Sequence, residues 1–172
     1  MAIIRRLNLG EGALYRSVRL ESLQESPDAF ASRYEDAVTR SEQSWCDQAD
    51  STASGSDRAT FIIAENRPVG LAALYRDGND TKVGELIQMW VAPEKRGGTA
   101  ASSLIDKIFL WAGDNNFSRV KAEVEISNSR AIQFYKKVGF IESDDQASYS
   151  SSSILLTKDV EQVGDGDAEE AV

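Results

Sequence analysis

The apolar residues of the chain recur with two different periods, and these periods predict a mixture of strands and helices. The β-branched run at residues 2–7 leads into a turn and predicts a first strand. The apolar spacing is then helical until Ser26 and Pro27 interrupt it. A second, more polar helix is predicted over residues 33–49.

The middle of the chain predicts strands. Two apolar runs, at residues 59–65 and 68–76, are joined by a short turn and predict a hairpin. Residues 82–91 alternate less cleanly, as a central strand covered on both faces would. With a strict period of two, one face of this strand carries Glu85, Ile87, Met89 and Val91, and the other carries Leu86, Gln88 and Trp90.

The second half of the chain alternates between the two periods. A helix is predicted over residues 99–113, a strand over 119–126 and a short amphipathic helix over 128–138. Two further strands are predicted at residues 140–143 and 152–158, with a serine-rich loop between them. This succession predicts an α/β fold with a mixed sheet.

Length and composition limit the chemistry. A chain of 172 residues with 41% hydrophobic content predicts one domain. It has no apolar run long enough to span a membrane and no secretory signal, so we expect a cytoplasmic protein without membrane contact. With one cysteine, Cys46, and no histidine, an internal disulfide is excluded, a metal site is not expected, and a general base must be Glu, Asp, Lys, Tyr or a bound water.

The net charge of −9 is concentrated at one end. Residues 159–172 hold six acids and no base, which leaves a net charge of −3 for residues 1–158. We therefore predict a folded domain over 1–158 and a disordered acidic tail over 159–172, whose spacing does not fit a calcium loop. No basic stripe exists, so nucleic-acid binding is not expected.

The segment VAPEKRGGTAASSL, residues 91–104, joins a strand to a helix through two glycines. Free backbone N–H groups and a helix N-terminus at such a junction form a site for an anion such as phosphate. The segment fits neither of the common glycine-rich phosphate patterns, so the segment taken alone favours a simple turn at Gly97 and Gly98 over an anion site.

The wider context of this segment resembles the GNAT family of N-acetyltransferases. ELIQMWVAPEKRGGTAASSLI together with EISNSRAIQFYKKVGF carries the resemblance, which extends over residues 2–158. It implies a central mixed sheet splayed between two parallel strands and flanked by helices. The residues that match the family signature in place are Arg96, Ala101, Asn128, Tyr135, Gly139 and Phe140.

The chain departs from the family signature at Thr99, where a glycine is expected. A β-branched residue tolerates a positive φ poorly, so either Thr99 keeps a negative φ or the loop is reshaped. We expect adjusted pyrophosphate contacts, because backbone N–H groups carry this kind of binding.

The resemblance implies acetyl-CoA as the co-substrate, with the pantetheine along the second half of the 82–91 strand and the pyrophosphate on the loop that follows. A backbone N–H of that strand would meet the thioester oxygen. The cofactor-binding residues so implied are Met89, Trp90, Val91, Arg96, Gly97, Gly98, Thr99, Ala100, Ala101, Ser102, Asn128 and Tyr135.

The resemblance also implies two catalytic residues. Tyr135 stands where the family has the tyrosine that protonates the leaving thiolate, although its ring is equally suited to packing an amphipathic helix. Glu85 is the candidate general base, acting through water, or an ordinary solvated or ion-paired strand acid. Asn128 is suited to capping its helix, to bonding pantetheine or to both, and Cys46 is interpreted as a structural residue.

The resemblance leaves two functions open. The first, which the resemblance itself implies, is an N-acetyltransferase that passes the acetyl group directly to a primary amine, without a covalent enzyme intermediate. The second is a non-catalytic acyl-CoA-binding or regulatory module on the same fold. The identity of the acceptor, a small molecule or a peptide, stays open. The mild acidity of residues 1–158 favours a cationic amine. We expect the protein to be a monomer or a homodimer.

Overall fold

A seven-stranded mixed sheet organises residues 2–145 and 151–162, the part of the chain that the computed structural model describes. The strands stand in the order β1-β2-β3-β4-β5-β7-β6, and the neighbours β4 and β5 run parallel. The predicted α/β fold with a mixed sheet is confirmed. The strands are β1 Ile3–Arg6, β2 Arg58–Ala64, β3 Pro68–Arg76, β4 Val83–Val91, β5 Arg119–Glu125, β6 Ile141–Glu142 and β7 Ser153–Asp159. The helices are α1 Gly12–Glu25, α2 Tyr34–Ala37, α3 Glu42–Ser51, α4 Ala100–Asp114 and α5 Ser129–Lys137.

Helices α1 and α4 lie on opposite faces of the sheet. The guanidinium of Arg6 in β1 lies 5.2 Å from the ring centroid of Trp111 in α4. Its neighbour Arg5 donates to Glu11 at the start of α1, at 2.7 Å. Since successive side chains of a strand point to opposite faces, the two helices cover different sides. Leucine and isoleucine side chains of α4, among them Leu104 and Ile108, are fully buried against the sheet.

The parallel strands β4 and β5 separate soon after they start. Their pairing covers three residue pairs and ends at Glu85 with Lys121. Beyond that point β5 continues to pair with β7, and β4 continues to pair with β3. The second half of β4 therefore faces an opening instead of a neighbouring strand, which is the predicted splay.

A β-bulge in β4 overturns the predicted alternation of faces. Ala73 pairs with Ile87 and Leu71 pairs with Trp90, so two residues of β4 stand opposite Ala72. Gln88, one of these two, has a φ of 60°. The extra residue shifts the parity of the strand. Trp90 therefore lies on the face of Glu85 and Ile87, and Val91 lies on the face of Leu86.

The single helix predicted over residues 33–49 is wrong, because the structure divides it into α2 and α3. The Ser41 hydroxyl accepts a hydrogen bond from the Ser44 N–H at 3.1 Å and so caps a new helix. Arg40, between the helices, lies 4.0 Å from the ring centroid of Trp45 and donates to the Ser44 hydroxyl. Local capping therefore outweighs the continuous helical pattern.

The end of the fold lies beyond the boundary predicted at residue 158. β7 includes Asp159, and the Val160 side chain is buried, with its N–H donating to the Ser118 carbonyl at 2.9 Å. The first residues of the predicted tail are thus part of the sheet and core. The rest of that tail, residues 163–172, and most of the predicted serine-rich loop lie outside the described residues. Among the described helices, none combines the length and apolarity that crossing a membrane requires.

Candidate functional site

The loop between β4 and α4 presents unpaired backbone N–H groups. Within the described residues, the N–H groups of residues 97–102 have no hydrogen-bond acceptor, because the first bond of α4 runs from the Ser103 N–H to the Thr99 carbonyl. The left-handed conformation lies at Gly97, with a φ of 84°, while Thr99 keeps a φ of −98°. Of the two alternatives for Thr99, the normal backbone conformation is therefore the one observed.

A cleft of about 580 Å³ lies between this loop, the splayed half of β4 and helix α5. A Cβ atom added to Gly98 would meet no atom within 4 Å, so the glycine leaves open space. Nine of the twelve residues predicted to bind the cofactor line the cleft. These nine are Met89, Trp90, Val91, Arg96, Gly97, Gly98, Ala101, Ser102 and Asn128. The other three, Thr99, Ala100 and Tyr135, do not line it.

Four basic side chains give the cleft its charge. Lys95 pairs with Glu65 at 2.6 Å and Arg96 pairs with Glu25 at 2.7 Å. The other two are Arg130 and Lys137 of α5, for which no ion pair occurs within residues 2–145 and 151–162. Sequence analysis missed Lys95, Arg130 and Lys137. The separation of seven residues between the last two is the signal that would have placed them on one helix face.

The Arg96 side chain forms hydrogen bonds with the end of β4 and the end of α1. Its Nε donates to the Val91 carbonyl at 2.9 Å, and its terminal nitrogens donate to the Glu25 carboxylate at 3.2 and 2.7 Å. Glu25, the last residue of α1, also accepts from the Trp90 indole N–H at 2.9 Å. The hydrogen bonds from Arg96 are the main reason that the pKa of Glu25 falls to about 2. The loop between β4 and α4 is thus tied to the end of α1.

The backbone of β4 offers a donor to the opening. The Ala92 N–H donates to the Val69 carbonyl of the segment that forms β3, and Trp90 pairs with Leu71. Since alternate residues of an antiparallel strand bond to the same neighbour, the N–H of Val91 points away from β3 and into the splay. The Trp90 side chain is buried.

A second pocket of about 360 Å³ adjoins the cleft, and Met89, Asn128 and Ala131 line both. Tyr135 and Glu85, the two predicted catalytic residues, are brought together in its lining. Burial raises the pKa of the Tyr135 hydroxyl, and no described residue forms a hydrogen bond with that hydroxyl. Glu85 forms no ion pair or hydrogen bond through its side chain with any described residue.

Asn128 stands at the junction of the two cavities. Its side-chain oxygen accepts a hydrogen bond from the Ala131 N–H at 3.2 Å, which caps α5. The capping alternative is therefore confirmed, and the side-chain amide nitrogen has no acceptor within the described part of the chain. Cys46 lines neither cavity; it packs against Gly12 of α1, where an added Cβ would meet the sulfur at 2.7 Å.

Sequence analysis missed three charged residues of the second pocket. Glu123 and Glu125 of β5 line it together with Arg19 of α1. The Glu123 carboxylate accepts from the Ser153 hydroxyl at 2.6 Å. Glu123 and Glu125 occupy alternate positions of β5 and therefore share a face. Their place beside β4 could have been predicted from the sequence once β4 and β5 were known to be neighbours. No local pattern distinguishes Arg19 from the other arginines of α1.

Comparison with known sequences agrees with this geometry. The family model "Acetyltransferase (GNAT) family" matches residues 20–140, more than half of the chain. An uncharacterised N-acetyltransferase of Mycobacterium tuberculosis is 40% identical over 76 residues, 44% of this chain and 47% of its own length. One from Methanocaldococcus jannaschii is 30% identical over 94 residues, 51% of this chain and 42% of its own length. The matches thus span about half the length of these curated relatives.

Solved structures share the fold at low sequence identity. A GNAT acetyltransferase from Streptococcus pneumoniae superposes with a TM-score of 0.78 at 17% identity, covering 94% of this chain and all of its own, 100%. The PaiA N-acetyltransferase of Thermoplasma acidophilum, solved in complex with coenzyme A, has a TM-score of 0.74 at 18% identity, covering 92% and 99%. The splayed sheet, the glycine loop before α4 and the match over residues 20–140 lead to one conclusion: this chain belongs to the GNAT acetyltransferase family.

Proposed function

We propose that the protein transfers an acetyl group from acetyl-CoA to a primary amine by direct attack. The observation that carries the proposal is the continuity of two cavities. The cleft with the unpaired N–H groups opens beside the pocket that contains Glu85 and Tyr135, and Met89 and Asn128 line both. A carrier bound in the cleft would therefore end next to two side chains suited to proton transfer.

The cleft fits a carrier with several phosphates. Unpaired N–H groups at residues 97–102, the start of α4 and the basic residues Lys95, Arg130 and Lys137 all favour an anion. Gly98 leaves space for close approach to the backbone. Acetyl-CoA would supply a thioester, which is an activated form of the acetyl group.

Three groups of the chain would act on the reacting atoms. The Val91 N–H, which points into the splay, would stabilise negative charge on the carbonyl oxygen. Glu85 would accept a proton from the amine, directly or through water. Tyr135 would donate its proton to the departing sulfur, since burial keeps the phenol neutral.

Calorimetric titration with acetyl-CoA, together with an assay of CoA release across a panel of primary amines, tests the proposal. We expect a dissociation constant in the micromolar range, a higher melting temperature with the ligand, and CoA release with at least one amine. Binding without release from any amine would favour the acyl-CoA-binding module. Absence of binding would refute the assignment of the cleft.

Glu85→Gln tests the base separately. The variant keeps the size of the side chain but removes its ability to accept a proton. We expect the rate at neutral pH to fall by at least about tenfold and the acidic limb of the pH–rate profile to change. A pH–rate profile identical to that of the wild type would assign the base to another group.

A further inference from the structure

The second pocket is lined by charges of both signs. Three carboxylates, Glu85, Glu123 and Glu125, come from the neighbouring strands β4 and β5, and Arg19 comes from α1. A purely cationic amine would use the carboxylates and leave the arginine without a role. The presence of both signs in one pocket of about 360 Å³ indicates a ligand that itself carries both signs.

Arg19 is a buried cation that lacks an anionic partner. The residue is 5% exposed, and no carboxylate of the described residues lies within ion-pair distance of its guanidinium. One terminal nitrogen donates to the Ser22 hydroxyl at 3.3 Å, which is a long hydrogen bond. Burial lowers the pKa of Arg19, and nearby Arg40 lowers it further, but a guanidinium stays charged in proteins. An unpaired buried charge is costly unless a ligand completes it.

The guanidinium of Arg19 packs on an aromatic ring of the same pocket. Its carbon atom lies 4.6 Å from the centroid of the Phe30 ring, and Phe30 lines the same pocket. A guanidinium that stacks on a ring keeps its N–H groups free at its edge. A carboxylate matches that edge with two parallel hydrogen bonds.

We propose that the second pocket accepts an amino acid, with its carboxylate bound by Arg19 and its amine directed toward the carboxylates of Glu85, Glu123 and Glu125. The inference rests on the proposed function for the identity of the reacting amine. The carboxylates would attract the ammonium form, and Glu85 would receive the proton that the amine must lose before it attacks.

Matched pairs of ligands test this ligand class. The panel contains α-, β- and γ-amino acids, each beside its carboxamide, which keeps the amine and removes the negative charge. Two quantities are measured: the melting temperature of the full chain with CoA and each compound, and kcat/KM for CoA release from acetyl-CoA. We expect at least one amino acid to raise the melting temperature and to exceed its carboxamide in kcat/KM by about 10- to 150-fold, the range for charged hydrogen bonds.

Variants of two ring-stacked arginines provide the control. Arg19→Met keeps the length of the side chain and should abolish the preference for the acid over the amide, while acetyl-CoA affinity stays within a few-fold. Arg19→Lys keeps the charge and should retain part of the preference. Arg40→Met should retain most of it, because Arg40 also stacks on a ring but lines neither cavity and acts on Arg19 only through its charge.

The outcomes separate the two proposals. If carboxamides match or exceed the acids in the wild type, or if Arg19→Met lowers both series equally, the carboxylate inference is overturned. Release of CoA by carboxamides would in that case leave acetyl transfer standing. If amino acids raise the melting temperature through Arg19 but no compound releases CoA, the ligand class stands and acetyl transfer falls. If no compound in the panel binds or reacts, the amino-acid pocket is refuted.

Discussion

Replacing Tyr135 by phenylalanine removes only the hydroxyl group, so it tests the catalytic role of that group while the packing of the ring is kept. The residue is 6% exposed, and its ring packs edge to face on Phe140, with centroids 5.1 Å apart. Both features survive in Tyr135→Phe. Because no described residue bonds to the hydroxyl, its removal leaves no described partner unsatisfied. We expect the free energy of unfolding to change by less than about 0.5 kcal/mol.

The rate should respond very differently from the stability. Without the hydroxyl, the proton for the departing sulfur must come from solvent, and positioned proton transfer is worth roughly 10²- to 10⁴-fold. Allowing for partial replacement by water, we expect kcat to fall by about 10- to 1000-fold, which corresponds to about 1.4–4 kcal/mol of activation free energy. Acetyl-CoA affinity should stay within a few-fold, since Tyr135 does not line the larger cleft.

The assay compares single-turnover rates at saturating acetyl-CoA, so that product release does not mask the chemistry. Tyr15→Phe is the matched control for stability: this tyrosine is also buried, but its hydroxyl donates to Gln88 at 2.8 Å, and its loss should cost about 1 kcal/mol. A single-turnover rate in Tyr135→Phe equal to that of the wild type would show that Tyr135 only packs. That result would shift support to the binding module.

Three further predictions concern the loop, the pH dependence and the end of the chain. Gly98→Ala should leave the melting temperature unchanged, since an added Cβ meets nothing, but should raise the acetyl-CoA dissociation constant at least about tenfold in calorimetry. Glu25→Gln should lower stability at pH 7. Because folding lowers the pKa of Glu25, the extra stability of the wild type is fully present above about pH 4.5 and is lost as the pH falls toward about 2. The denaturation curves of the two proteins should therefore converge at low pH. Removing residues 159–172 exposes the partners of Val160 and should cost about 2 kcal/mol in denaturant unfolding, whereas removing only 163–172 keeps these contacts and serves as the control.

The periodicity of the apolar residues was sufficient to predict the elements that depend on residues close together in the chain. The hairpin of β2 and β3, the extent of α4 and the end of α5 shortly before Gly139, which has a φ of 103°, all agree with the sequence pattern. Each depends on residues close together in the chain, such as turn formers, caps and one apolar face. The loop with unpaired backbone N–H groups was located in the same way, from Gly97 and Gly98 between a strand and a helix.

The features that escaped prediction depend on distant partners. The bulge at Gln88 breaks a regular alternation, and the hydroxyl that donates to the Gln88 side chain belongs to Tyr15, 73 residues earlier. Glu25, which binds Arg96, is 71 residues away from it. Such contacts are decided by how helices pack on the sheet, and no period within a single segment contains that information.

Helix α1 links the two cavities mechanically. Its last residue, Glu25, holds the loop between β4 and α4 through Arg96, and Arg19, six residues earlier, lines the second pocket. At 1.5 Å per residue these two contacts are about 9 Å apart on one continuous helix. A ligand that draws Arg96 from Glu25 therefore acts on the helix that orients Arg19. Thermodynamic reciprocity then links the two affinities: whatever factor the first ligand imposes on the affinity for the second, the second imposes on the affinity for the first.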